Sequence, residues 1–367
     1  MELFIILAIP LLIALGGFIL SAVSGHRYFL INFKEFMVLV GTVAAVVILG
    51  YFISRFSSTY DEEIWNGLVV KKTQEKVSCE HSYSCNPHPC MCDDEGHCST
   101  CWDTCYEHSY DWDWVLYTSN DERIEIQRVD DRGVKEPARF AEVKINDPTA
   151  LVHSYVNYIK ANPWTILKRH GIVEEFKDLI PSYPIAVYDY HYVDRFLPVK
   201  VTVQEARLWN KGLMEINAEL GKKKEVNIIF LAVPTKNSGY IHALEEAWLG
   251  GRKNDLVVIF GVGEYPKIDW VRVMSWTKEE ILKVLLRDEL QEIGTLEKRE
   301  EIIMKTKELV DKHFVRTRMR DFEYLMAGIR PSAGALVFLF ILGVGLSICL
   351  TIYFWRNDPF ETRKDFW

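Results

Sequence analysis

Three stretches of this chain are apolar all the way round a helix and hold no charged side chain: residues 3–23, 36–54 and 333–355. Each is close to the ~20 residues that a helix needs to cross a bilayer, so three transmembrane helices are predicted. Glu2 stands where a cleavable secretory signal carries basic residues, and the first stretch therefore reads as an anchor. A short connection makes the first two spans a hairpin over residues 3–54.

Between the spans the pattern changes twice. Residues 55–150 hold short apolar and aromatic runs separated by turn residues, which predicts strands at Ile64–Val70, Trp112–Tyr117, Ile124–Val129 and Phe140–Ile145. Turn signals fall at Asn120-Asp121 and Asp131-Arg132-Gly133. Residues 151–295 alternate helical and strand patterns instead. Thr202-x-x-Glu205 has the form of a capping box, and Val203, Trp209, Leu213, Ile216 and Leu220 mark one face of a helix that Gly221 ends. Val226–Val233 and Leu256–Val262 are unbroken apolar runs of strand length, so a mostly parallel sheet covered by helices is expected. Ile268–Met274 adds an edge strand, and Thr277-x-x-Glu280 opens a helix over Ile281–Ile293.

The fold class is therefore α+β, with a β-rich module followed by an α/β module. Residues 296–330 then form an amphipathic helix, with Ile303, Val310, Phe314, Phe322 and Leu325 among dense charge. That helix, centred on 296–327, either packs on the domain or associates with a second chain. Pro331 separates it from the last span, and residues 356–367 are a tail.

Charge bears on partners and on sidedness. The 43 Lys and Arg against 51 Asp and Glu give a net charge of -8 with no basic stripe, which speaks against a nucleic-acid partner. Arg27 and Lys34 in the hairpin connection lie on one side of the bilayer with Arg356, Arg363 and Lys364 of the tail. On the other side Arg55, Arg318, Arg320 and Arg330 nearly balance these five, and only with charges of the large domain discounted does the positive-inside rule put loop and tail in the cytoplasm and residues 55–330 outside it.

Seven of the eight cysteines crowd into residues 79–105: Cys79, Cys85, Cys90, Cys92, Cys98, Cys101 and Cys105. Glu-His-Ser-Tyr copies at Glu80–Tyr83 and Glu107–Tyr110 bracket this knot. Two chemistries fit it. Cys98-x2-Cys101 has the spacing of a zinc turn, and seven thiolates with a histidine such as His81 or His108 complete two structural zinc sites. Alternatively, a segment this poor in aliphatic residues is held by disulfides, with one cysteine left over.

His-Ser-Tyr recurs at His153–Tyr155, which raises a three-histidine site from His81, His108 and His153; the plainer reading pairs the two knot-flanking copies as strands. Trp112 and Trp114 alternate with Asp111 and Asp113, as in a half-buried strand or an aromatic binding face. Catalytic candidates are few: Asp189, His191 and Asp255, with no spacing that separates them from surface groups.

The stretch Val226–Val233 followed by Glu245–Val262 resembles the TPM-domain family over about residues 180–295. The pattern is a strand, a helix ending in a Trp, a Gly-rich basic turn and an Asn before a hydrophobic strand: here Trp248, Gly250-Gly251, Arg252-Lys253 and Asn254. The resemblance implies an α/β domain tethered outside the cytoplasm, with phosphatase activity in some members and assembly roles in others. Asp255 departs from the pattern, where the family has a small residue, and Gly263–Lys267 has no counterpart in it.

The sequence thus predicts a membrane-anchored, extracytoplasmic binding or assembly protein of a cell envelope, non-catalytic, with the bilayer and a protein as partners. The alternative is a membrane-tethered, metal-dependent hydrolase.

Overall fold

The computed structural model describes residues 2–23, 31–92, 98–162, 165, 168–169, 171–185, 187, 194–357 and 359–360. Along the chain come α1 (Glu2–Val23), α2 (Phe33–Ser57), β1 (Tyr60–Val77), β2 (Ser82–Cys92), β3 (Cys98–Tyr106), β4 (Asp111–Thr118) and β5 (Arg123–Ile126). Next are α3 (Ala138–Glu142), β6 (Pro148–Val156), α4 (Tyr158–Ala161), α5 (Ile172–Phe176), β7 (Phe196–Pro198), α6 (Ala206–Lys224) and β8 (Asn227–Val233). The rest are α7 (Tyr240–Ala247), β9 (Asp255–Gly261), β10 (Trp270–Ser275), α8 (Ile281–Ile293), α9 (Arg299–His313) and α10 (Ala333–Asn357). The fold is mixed α+β, and the chain divides into two compact units.

The first unit comprises Met1–Asp61, Val156–Thr165 and Met319–Trp367. Its core is the bundle of α1, α2 and α10, each long and apolar enough to cross a membrane, which makes the chain a membrane protein. The bundle buries little of each helix, so most apolar side chains face outward. Its helices meet at small residues: a Cβ on Gly17 would lie 2.5 Å from Thr351 Cγ2, and one on Gly50 2.4 Å from Leu339 Cδ2. Close backbone approach of this kind drives helix association where lipid gives no hydrophobic force. Asn32 caps α2 reciprocally with Glu35, each side chain accepting from the other's backbone N–H.

The second unit comprises Glu62–Tyr155 and Ile166–Arg318 and contains two four-stranded sheets. One has the order β5-β4-β1-β6, with β4 antiparallel to both β1 and β5. The other has the order β10-β9-β8-β7, with β7, β8 and β9 parallel and β10 antiparallel at the edge. Antiparallel pairings predominate over the described sheets as a whole, so the expected parallel arrangement is confined to these three strands. Side chains alternate on β8: Ile228, Phe230 and Ala232 pack with Trp209 of α6, Leu286 of α8 and Val310 of α9. Ile229, Leu231 and Val233 face the opposite way, with Phe176 of α5 and Tyr240 of α7. Both faces are covered, which is why the strand reads as one apolar run.

Residues 62–150 and most of 151–295 fall within this one unit. Asn66 Nδ2 donates to Val226 O at 3.1 Å, and Asn254 Nδ2 to Ile64 O at 2.8 Å. Gly221 does not end its helix; α6 continues to Lys224, and a Cβ at this position would sit 1.8 Å from the Asn66 carbonyl oxygen. A glycine is needed there for the close approach of β1.

Several local expectations are corrected. Phe140 lies in α3, not in a strand, with its ring against Trp114. Neither Thr-x-x-Glu sequence forms a capping box: Glu205 adopts a left-handed conformation at φ 53° without a side-chain cap, and the Thr277 hydroxyl exchanges hydrogen bonds with the Val315 backbone and accepts from Glu279 N at 3.4 Å rather than from Glu280 N. The long helix expected over 296–327 breaks at Phe314, which is extended, and resumes as 3₁₀ turns over Met319–Gly328. Ile302, Ile303, Val310 and Phe314 are buried in the core of the second unit, whereas Phe322 and Leu325 are half-buried.

Candidate functional site: the stapled hairpin and the cluster at its root

Strand β1 is far longer than the apolar run Ile64–Val70, because Lys71 to Val77 continue the antiparallel pairing with β4 as a ribbon, whose last residues Glu75 to Val77 run past the end of β5 to finish at Val77 opposite Asp111. These residues are polar and the ribbon has little core, which is why no apolar pattern announced it. The ribbon leads into the β2–β3 hairpin. Its base closes where Glu107 N donates to His81 O at 3.1 Å and Ser82 faces Tyr106, so the two Glu-His-Ser-Tyr copies do meet as paired chain.

The hairpin is exposed along nearly its whole length, so it has no apolar core to hold it. Disulfides do so instead: Cys85–Cys105 and Cys90–Cys101, with Cys98 also disulfide-bonded. This overturns the pair of zinc sites built from seven thiolates, since a half-cystine sulfur has no thiolate to offer. Cys92 pairs with Cys98 in the strand register, and its side chain lies outside the described residues.

Strand alternation assigns the two faces of the hairpin different work. Cys101 and Cys105 share one face of β3, and Trp102 and Tyr106 share the other. Trp102 is 56% and Tyr106 57% exposed, and Tyr83 and Met91 are exposed as well.

At the root, Cys79 is a free, buried thiol. Its Sγ lies 3.7 Å from His108 Nδ1, and the same nitrogen lies 3.3 Å from Oδ1 of Asp111, which is fully buried. The other Asp111 oxygen accepts from Glu80 N at 3.2 Å and faces Arg128 NH1 at 3.4 Å. Burial pushes the Asp111 carboxyl up, but the Glu80 N–H, the Cys79 thiol, Arg128 and His108 together hold it below its ordinary value. A cavity of about 570 Å³, lined by Ser78, Cys79, Tyr106, Glu107, His108 and Ser109, adjoins the cluster.

Of the metal ligands expected from sequence, Cys79 and His108 are the two that come together in a candidate ion site among the described residues. His81 is exposed and contributes its carbonyl oxygen to the hairpin base. His153 lies elsewhere, stacked on Trp65 at 3.7 Å with Nδ1 3.2 Å from Glu63 Oε1, so there is no three-histidine site. Glu63 of β1 is fully buried and also meets Lys253, in the turn before β9, at 3.6 Å and Arg316, in the segment after α9. Nor is β4 a half-buried strand with an aromatic face. Asp111 and Asp113 are both buried, Asp113 against Arg128 and Arg123, while Trp114 is buried and donates to Gly133 O at 2.9 Å.

Among the catalytic candidates, Asp189 and His191 lie outside the described residues. Asp255 sits at the amino end of β9, 1% exposed, and accepts from Asn227 Nδ2 at 2.8 Å, Arg252 N at 2.7 Å and Tyr183 OH at 2.9 and 3.0 Å. Burial raises its pKa to about 6, against the lowering effect of those donors and of the Arg252 charge. An open parallel sheet binds ligands at the carboxyl ends of its strands, so this carboxyl is enclosed at the opposite end. Sequence reasoning missed Asp111 as a partner of His108; the spacing of three residues was the available signal. Compared with known proteins, the chain matches no family model, no curated sequence and no solved structure.

Proposed function

We propose that this protein is a membrane-anchored binding or assembly component whose contact element is the disulfide-stapled β2–β3 hairpin, presented outside the cytoplasm. The carrying observation is the exposure of Trp102 and Tyr106 on the face opposite the disulfides. Trp and Tyr bury much area for little lost side-chain freedom, which makes them frequent anchors of protein contacts. Two disulfides hold the hairpin in one conformation before it binds, which lowers the ordering cost of association. Disulfides persist in oxidising compartments, and this supports an extracytoplasmic second unit. A TPM-like reading of the α/β segment belongs to the same proposal.

The test is to cross-link the full-length protein in its native membrane and compare wild type with Trp102→Ser and Tyr106→Ser. A defined cross-linked species that both surface substitutions weaken, with disulfides and expression unchanged, is the expected result. Identical cross-linking in all three proteins would remove the hairpin as the contact element.

A further inference from the structure

We propose that Cys79, His108 and Asp111 form a binding site for one borderline-soft divalent metal ion, with Zn²⁺ as the reference, at the root of the hairpin. This is independent of whether the hairpin meets a partner, and it differs from zinc held by Cys85, Cys90, Cys98, Cys101 and Cys105, which are disulfide-bonded.

Three observations carry it. First, the three ligand atoms all lie within 4.8 Å of one another, so a single ion can reach them. The two contacts at His108 Nδ1 are close to the edges of a coordination tetrahedron. With bonds of about 2.3 Å to sulfur and 2.0–2.2 Å to nitrogen or oxygen, sulfur and nitrogen are about 3.6 Å apart and nitrogen and oxygen about 3.4 Å. The observed separations are 3.7 Å and 3.3 Å.

Second, hydrogen bonding leaves the arrangement incomplete. One imidazole nitrogen faces both a sulfur and a carboxylate oxygen, and with at most one proton it serves one of them well. Asp111 Oδ1 is buried and points at that nitrogen without a hydrogen bond of normal geometry to it, and the Cys79 thiol, whose single proton the imidazole also faces, is the other donor at hand. A cation in the same place satisfies all three donors at once.

Third, the second shell and the access route are present. The remaining Asp111 oxygen is held by the Glu80 N–H and Arg128, which fixes the carboxylate's orientation, as outer-shell partners do in metal sites. Thiolate, imidazole and carboxylate together suit Zn²⁺ and its neighbours better than Mg²⁺ or Ca²⁺, which take oxygen ligands. Three protein ligands leave one position of a tetrahedral ion for water or an incoming donor, and the adjoining cavity gives it room. Binding replaces the thiol proton with the metal, and the proton goes to solvent.

The experiment titrates the full-length protein in detergent micelles with Co²⁺, which reports a thiolate ligand by its charge-transfer absorption, and then displaces it with Zn²⁺. Wild type is expected to bind one ion with that absorption. Cys79→Ser abolishes the absorption, and His108→Ala weakens Zn²⁺ binding by more than the roughly 10- to 100-fold loss typical of outer-shell changes. His81→Ala and His153→Ala are expected to bind as wild type does. Absence of the band in wild type, or its persistence in Cys79→Ser, overturns the site. Should a variant fail to fold, wild type alone decides: Zn²⁺ must slow alkylation of Cys79 at least about tenfold, and an unchanged rate rejects the proposal.

Discussion

Asp255 is surrounded by donors on every side and yet is harder to ionise than a free carboxyl, because removal from water outweighs the Arg252 N–H, Asn227 and Tyr183 bonds. Its folded pKa of about 6 exceeds the ordinary aspartate value of 3.8, so the folded state holds the proton more tightly than the unfolded state does. The contribution to stability is therefore fully present below about pH 3.8, declines as pH rises, and is lost once pH has passed about 6. The total is on the order of 3 kcal/mol. Denaturant unfolding of wild type and Asp255→Asn across this range checks it. The wild type is expected to lose stability relative to the variant between about pH 4 and 6, and parallel pH profiles would count against the shift. The same scale shows why buried acids escaped the sequence reading. Asp111, Glu63 and Asp255 look like surface carboxylates, and only the chain that folds over them reveals Arg128, Arg316 or Tyr183 as a partner.

At the scale of elements, the disulfides divide the work of stability unevenly. Cys85–Cys105 and Cys90–Cys101 span 20 and 11 residues, and loop-closure entropy predicts about 3 kcal/mol from each, although nested loops do not add fully. The second unit has its own core around Trp209, Phe230 and Leu286, to which the hairpin contributes no residue. Mild reduction should therefore open residues 82–106 to protease while β8 and β9 keep their amide protection; simultaneous loss of both would show the hairpin to be coupled to the core. Hydrogen exchange with limited proteolysis reads both. Elements with continuous apolar pattern were legible in the sequence: the three spans, β8 and β9. Elements held by other means were not. The polar ribbon of β1 rests on backbone pairing with β4, Phe140 turns into a short helix to reach Trp114, and the break at Phe314 lets that ring enter the core. Cys79 and His108 were visible as candidates, but their convergence with Asp111 depends on the hairpin closing between them, which no local pattern encodes.

For the whole molecule, sidedness connects the charge pattern to the redox chemistry. Arg27, Lys34, Arg356, Arg363 and Lys364 flank the spans on the side that the positive-inside rule keeps in the cytoplasm. In the orientation we propose, the disulfides lie on the opposite side, away from the cytosolic thiol buffers that reduce such bonds. These two arguments are independent, one resting on the cost of moving cations across a bilayer and the other on a redox poise, and they give the same orientation. Labelling thiols in intact cells before lysis separates it from its reverse. With the second unit outside, Cys85, Cys90, Cys98, Cys101 and Cys105 should remain unlabelled until a reductant is added, while an epitope appended to the tail is reached only after permeabilisation. Labelling of all five without reductant, or a tail accessible from outside, would reverse the topology. A reversed topology would also leave the hairpin as a set of free thiols without a core, and its aromatic face would lose the rigid frame on which the proposed contact depends.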